Sequence, residues 1–163
     1  MASASSTWVR IGKVTTVTTL WFTLLSEHVF DITLCSGPSM LPTLNEFGDV
    51  VITDHRRSTK ASLSVGDVIV FRSPGDPKLR MCKRLLGLPG DVVYVDPTIS
   101  DEVIRVPPGH MWVQGDNLAN STDSRTTGPV PLGLLVGRVV FKVLPLSEAG
   151  PISSLAPVVI HSL

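Results

Sequence analysis

A serine held between two prolines, a lysine inside an apolar run and a crowd of small polar residues have the types and spacing for acyl-transfer chemistry. The stretch SGPSMLPTL, residues 36–44, holds Ser39 between Pro38 and Pro42. Proline fixes its own φ and biases the residue before it toward extended backbone. The pair therefore predicts a stiff, non-helical presentation of one hydroxyl. A nucleophile held for attack needs that stiffness, although a plain Pro–Ser turn between two segments fits the same residues.

The second stretch is MCKRLLGLPGD, residues 81–91. Strand alternation puts Met81, Lys83 and Leu85 on one face, with Cys82 and Arg84 facing away. An ammonium between two apolar neighbours loses solvation and its pKa falls. A lysine neutral at physiological pH is a competent general base, whereas an exposed one is not. The bland alternative is a strand lysine on a solvated face.

The third stretch, GDNLANSTDSRTTGP, spans residues 115–129. Gly115, Asp116 and Asn117 make a turn, and Ser121, Asp123, Ser124 and Arg125 crowd together behind it. Asp123 and Arg125 are spaced for an ion pair that pins the loop, and the Ser121 hydroxyl can bond an amine. Alone, the stretch also fits a polar surface loop with an Asx turn. His110, in PPGHMWV, reads as a turn into a strand, and His28, His55 and His161 have no motif around them. With four scattered histidines and only Cys35 and Cys82 as cysteines, neither a metal site nor a disulfide framework is expected. The two cysteines read as free thiols, with a single bridge as the alternative. No cofactor is implied.

The elements that must position these groups are short strands. GDVVITD (48–54), GDVIVFR (66–72) and GDVVYVD (90–96) each open on a Gly-Asp turn and run into β-branched residues. GHMWVQGD (109–116) and GRVVFKVL (137–144) add two more. The recurrent GDV is one turn chemistry reused at strand entries rather than a repeat. With 163 residues, 13 prolines and 13 glycines, the chain suits one turn-rich β domain. The fold expected is mainly β, a compact antiparallel domain of barrel or sandwich type over residues 35–148. A segment over 1–34 precedes it, and the tail 149–163 has no assigned role. The 14 basic and 14 acidic side chains balance, so no global field recruits nucleic acid.

Arg10 and Lys13 precede VTTVTTLWFTLLS, residues 14–26, an uncharged run with five threonines. A spanning helix wants about 20 apolar residues, so this run is short. As a helix it gathers Thr15, Thr19 and Thr23 on one face and Val14, Val17, Trp21, Leu24 and Leu25 on the other. A marginal span, a helix lying on a membrane and a helix packed on protein all fit that pattern. If the run spans, Arg10 and Lys13 keep the N-terminus on the positive-inside face. No small-residue cleavage site follows it convincingly, which favours an uncleaved anchor.

Taken together, SMLPTL, KRLLGLPGD and GDNLANSTDSR resemble the nucleophile, general-base and C-terminal boxes of the type I signal peptidases. CKRLLGLPGD, GHMWVQGDNLANSTDSR and GRVVFKVLPLS resemble more narrowly the mitochondrial inner-membrane branch of that family. The resemblance covers residues 36 to about 148. It implies a membrane-bound serine endopeptidase that removes presequences or sorting peptides, with Ser39 as nucleophile and Lys83 as general base. It implies that Ser121 orients the Lys83 amine and that Asp123 and Arg125 brace the site. Precursor proteins would be the substrates, and a related second peptidase subunit the partner. The expected location is the mitochondrial inner membrane with the catalytic domain facing the intermembrane space, a bacterial or plastid membrane being the fallback.

One departure stands out. Bacterial members often carry a serine two residues before the nucleophile that completes the oxyanion hole, and here that position is Gly37. Pro38 offers no N–H. The Ser39 N–H is then the obvious donor, with Ser36 or a water as the second. Two further readings compete. A self-cleaving DNA-bound repressor on a related core needs a basic recognition module, and residues 1–35 hold only Arg10 and Lys13 as basic residues. An inactive scaffold subunit would show loss of Ser39 or Lys83, and both are present.

Overall fold

The structure, a computed structural model, describes residues 12–21, 23, 29–57, 63–96 and 99–154. Residues 12–21 are helical. Along that helix the hydroxyls of Thr15, Thr16, Thr18 and Thr19 donate to carbonyls three or four residues earlier, as Thr23 does. Each hydroxyl is thereby satisfied without water. Thr15, Thr19 and Thr23 share one face, as the sequence predicts, together with Thr16 and Leu20. Val14, Val17 and Trp21 are exposed. Leu24 and Leu25 of that pattern lie outside the described residues, as do His28 and His161. No helix among the described residues is long and apolar enough to cross a membrane.

Ten strands follow among the described residues: β1 (Phe30–Ser36), β2 (Phe47–Asp54), β3 (Val68–Arg72), β4 (Arg80–Gly87), β5 (Val92–Tyr94), β6 (Val103–Arg105), β7 (His110–Gln114), β8 (Val130–Pro131), β9 (Leu135–Leu144) and β10 (Gly150–Pro151). All pairings among them are antiparallel. One sheet runs in the order β1-β2-β9-β3-β4-β7-β8, with β10 on β9, and β5 and β6 form a separate hairpin. The mainly β, antiparallel fold is the one expected from the sequence.

β3 shows why the sheet curls around two cores. Val68, Ile69, Val70 and Phe71 are each exposed by 1% or less. Val68 and Val70 pack with Cys35, Met40, Leu44, Val51 and Val139, while Ile69 and Phe71 pack on the opposite face with Leu85, Met111 and Val113. A strand buried on both faces reads as a continuous apolar run, and VIVF is one.

The three Gly-Asp strand entries share one geometry. Gly48, Gly66 and Gly90 have φ near +90 to +100° in the left-handed half of the map. The following carboxylates of Asp49, Asp67 and Asp91 accept the N–H of Asn45, Ser64 and Leu88 at 2.7, 2.9 and 2.8 Å. The recurrence is turn chemistry, as the sequence suggests.

β1 inverts its pattern. FDITLCS alternates apolar and polar residues, yet Ile32 and Leu34 are 72% and 69% exposed while Cys35 is buried. The tail also acquires a role: β10 pairs Gly150 with Lys142 and Pro151 with Phe141, and Ile152 packs against the first core.

Candidate active site

Ser39 lies on the loop between β1 and β2. The loop is closed at its neck by the Gly37 N–H donating to the Glu46 carbonyl at 2.7 Å. Contrary to the non-helical expectation, residues Pro38–Met40 form one 3-10 turn. Proline opens a helical turn readily because no N–H is required of its first residue. The Leu41–Pro42 peptide is cis. The side chains of Met40 and Leu44, each 2% exposed, anchor the loop in the first core. Such burial contributes about 1.5–3 kcal/mol per side chain.

A second tether fixes the far end of this loop. Asn45 donates from its N–H and its side-chain amide to Asp49, and from the same amide to Glu148. Lys142 completes the cluster at 2.9 Å from Asp49 and 2.7 Å from Glu148. Burial pushes the Asp49 carboxyl up and the Lys142 amine down, but their mutual hydrogen bond, the bonds from Asn45 to Asp49 and from Lys142 to Glu148, and the opposite charges together outweigh this, so Asp49 is net lowered and Lys142 net raised. Both members of the pair are charged.

Lys83 behaves differently. It sits mid-strand in β4, opposite Ile69 of β3, and is 4% exposed. Among the described residues no carboxylate lies within ion-pair distance of its amine. Desolvation lowers its pKa below the ordinary 10.5, and the nearby charges of Asp123 and Asp116 recover part of the loss. The strand-face argument holds for its neighbours, since Met81 and Leu85 join the second core. Ser39 and Lys83 line one cavity of about 290 Å³, together with Ser36, Cys35, Met40, Cys82 and residues 79–81.

The third box closes onto the first two. The Ser39 carbonyl accepts the Asn117 N–H, and the Pro38 carbonyl accepts the Asn117 side-chain amide, both at 3.0 Å. A Cβ at Gly115 would collide with the Ser39 carbonyl and the Ser121 side chain, so glycine is needed for this close approach. β7 pairs Gln114 with Arg84, which extends the antiparallel register to bring Gly115 beside Lys83. Asp123 accepts the Gly115 N–H at 3.0 Å and caps the short helix Ser124–Thr127 through the Arg125 N–H.

Arg125 pairs with Asp123 at 3.0 Å and with Asp96 at 3.1 Å, as the sequence predicted for the first of these. Burial pushes Asp123 up, yet hydrogen bonds from the Arg125 guanidinium and the Gly115 N–H, with Ser121 nearby, leave it net lowered. The Ser121 Oγ itself is buried and makes no hydrogen bond within 3.5 Å among the described residues. It is a polar atom waiting for a partner.

Arg84 is the residue that alternation underrated. It faces away from Lys83 but into the protein, 5% exposed, with two bonds to Asp116 at 2.7 and 2.6 Å. It also donates to Thr43 of the serine loop at 3.2 Å and to the Gly66 carbonyl at 2.6 Å. Asp116 in turn accepts from the Thr43 hydroxyl at 2.5 Å. One guanidinium thus links all three sequence boxes. The KR dipeptide and the GD of the third box were the available signal.

Ser36 is exposed at the end of β1, beside a register shift at Cys35/Ser36, and faces the shared cavity. Gly37 has φ +110°, which side chains disfavour. That backbone accounts for a glycine at this position. Among the described residues the Ser39 N–H engages no acceptor. His110 is half-buried and bonds the Pro108 carbonyl, consistent with a turn. Cys35 and Cys82 are free thiols, and Cys82 lines the same cavity as Lys83 although its strand position points it to the opposite core. No cluster of metal-ligating residues occurs among the described residues.

The family described as signal peptidase, peptidase S26, matches residues 8–100 and 96–144. The chain is 50% identical over 123 residues to mitochondrial inner membrane protease subunit 1 of Schizosaccharomyces pombe, covering 74% of this chain and 78% of that protein. It is 43% identical over 128 residues to the Homo sapiens subunit 1, covering 76% and 75%. It is 34% identical over 150 residues to subunit 2 of the Saccharomyces cerevisiae protease, covering 86% and 85%.

Proposed function

Because the chain belongs to the peptidase S26 family of signal peptidases, we propose that it cuts precursor proteins with Ser39 as nucleophile and uncharged Lys83 as general base. Membership makes it a hydrolase of the signal-peptidase type. The observation that carries the dyad is a lysine 4% exposed, without a paired carboxylate among the described residues, lining the same cavity as a serine on a tethered loop.

The chemistry follows from that pairing. Neutral Lys83 takes the Ser39 proton as the oxygen attacks the scissile carbonyl. The resulting ammonium protonates the departing amine, leaving an acyl ester on Ser39. Lys83, again neutral, then takes a proton from the water that hydrolyses the ester. Ser121, buried and unpartnered, orients the amine, while Asp123 and Arg125 hold the loop that carries Ser121. The Ser39 N–H and the Ser36 hydroxyl serve the oxyanion.

The substrate enters as an extended strand. Among the described residues β1 pairs only with β2, and β7 pairs with β4 only from Arg84 onward, so residues 34–36 and 80–83 both offer backbone edges to the cavity. An extended peptide can hydrogen-bond to such edges, with alternate side chains in pockets.

The names of the relatives support a place at the mitochondrial inner membrane and a related second subunit as partner, and the family's description as signal peptidase supports presequences or sorting peptides as substrates. The N-terminal helical segment holds the chain at the membrane, with the peptidase domain in the intermembrane space. A survey of protein N-termini in mitochondria with the wild-type chain or its Ser39→Ala variant tests the reading. Unprocessed precursors should accumulate in the variant, and identical N-termini in both would refute it.

A further inference from the structure

Cys35 and Cys82 have no part in the peptidase chemistry, yet both line the cavity of Ser39 and Lys83. Their strands are not neighbours, since β2, β9 and β3 lie between β1 and β4. The curl of the sheet brings them together. Cys82 packs on the core cluster that contains Cys35, and each thiol is the largest single influence on the ionisation of the other. Each also has an amine nearby, Lys142 for Cys35 and Lys83 for Cys82. An isolated buried thiol is inert. Two thiols on the wall of one cavity, each the main influence on the other's ionisation, are not.

We propose that Cys35 and Cys82 form a reversible redox site at which a small disulfide, such as oxidised glutathione, closes a Cys35–Cys82 bond and stops proteolysis. This rests on the reading that a peptide strand occupies the cavity. The contact with Cys82 lowers the Cys35 thiol and raises that of Cys82, which makes Cys35 the first attacker. Its thiolate, having lost its proton to solvent, attacks one glutathione sulfur and expels a glutathione thiolate. The Cys82 thiolate then attacks the Cys35 sulfur of the mixed disulfide and expels the second. The protein dithiol loses two electrons, one oxidised glutathione gains them, and the two cysteine protons end on the two glutathiones.

Geometry makes the bond and the substrate exclusive. A strand between two others needs about 4.7–4.9 Å on each side, so the flanking backbones must stand roughly 9.5 Å apart. A disulfide draws its two Cα atoms to about 4.4–6.8 Å. Thiols on the wall of one cavity therefore narrow it when they bond.

The test incubates the full chain in detergent with oxidised glutathione or with dithiothreitol. Two readouts follow: mass spectrometry of the non-reduced digest, and cleavage of a fluorogenic peptide library. Expected are a linked Cys35/Cys82 peptide pair lighter by two hydrogens, and loss of cleavage to the Ser39→Ala background, restored by reductant. In Cys35→Ser, which lacks the first attacker, cleavage after oxidation should equal that protein's own reduced value. The proposal is overturned by the absence of the linked pair, by a linked pair with undiminished cleavage, or by equal loss in Cys35→Ser. Failure of the reduced wild type to cut any peptide would count against the peptidase reading instead, while the cross-link readout still decides the thiol pair.

Discussion

The carbonyl oxygen of Ser39 accepts the backbone N–H of Asn117 at 3.0 Å. The residue proposed as nucleophile is thus tied, through its own backbone, to the turn that introduces Ser121 and Asp123. The serine loop and the third sequence box therefore move as one body, and the serine hydroxyl remains free of that tether.

Replacing Ser39 or Lys83 by alanine should lower peptide cleavage by roughly a thousandfold or more while leaving the fold intact. Circular dichroism and thermal melting check the second half. A Lys83→Ala protein with near wild-type turnover would exclude the dyad.

Cleavage should fall as pH drops through the lowered pKa of Lys83, because the protonated amine cannot accept the serine proton. The stability linkage has its own sign. Between the lowered folded pKa and the ordinary 10.5, the unfolded chain binds more protons at this site than the folded chain. Wild-type stability relative to Lys83→Met should therefore rise with pH across that window. Denaturant midpoints for the two proteins along a pH series measure it.

Asp116→Ala leaves the buried Arg84 guanidinium without its carboxylate and should cost about 3–5 kcal/mol. The double variant Arg84→Met/Asp116→Leu should recover much of that loss, since apolar replacement of a buried pair is often near neutral. Urea unfolding resolves the two. Arg84→Lys should not rescue function, because an ammonium cannot hold Asp116, Thr43 and the Gly66 carbonyl in one planar fork.

Ser36→Ala should lower kcat by roughly 100- to 1000-fold with KM little changed, the signature of a lost oxyanion donor. An unaltered kcat would leave the Ser39 N–H and solvent as the stabilising groups.

How much of this the sequence disclosed follows from where each side chain's partners lie in the chain. β3 and β9 were legible because VIVFR and VVFKVL carry β-branched runs after turn residues. β1 was missed since its apolar residues, Phe30, Ile32 and Leu34, point outward beside an already apolar N-terminal segment. β8 and β10 are two residues each and exist only through their partners. The Lys83 environment was readable because its neighbours in sequence are also its neighbours on the strand face. The Arg84–Asp116 link joins residues 32 apart and the Asn45–Glu148 contact residues 103 apart, so no local pattern announces them. The sharing of one cavity by Cys35 and Cys82 likewise depends on how far the sheet curls.

The place of β9 has a consequence for how the chain acquires its shape. Late in the sequence, it lies between β2 and β3 and holds the two halves of the large sheet together. Until residues 135–144 have been made, β2 and β3 have no shared partner. The two halves of the large sheet can therefore join only late in synthesis, once β9 has emerged to sit between them.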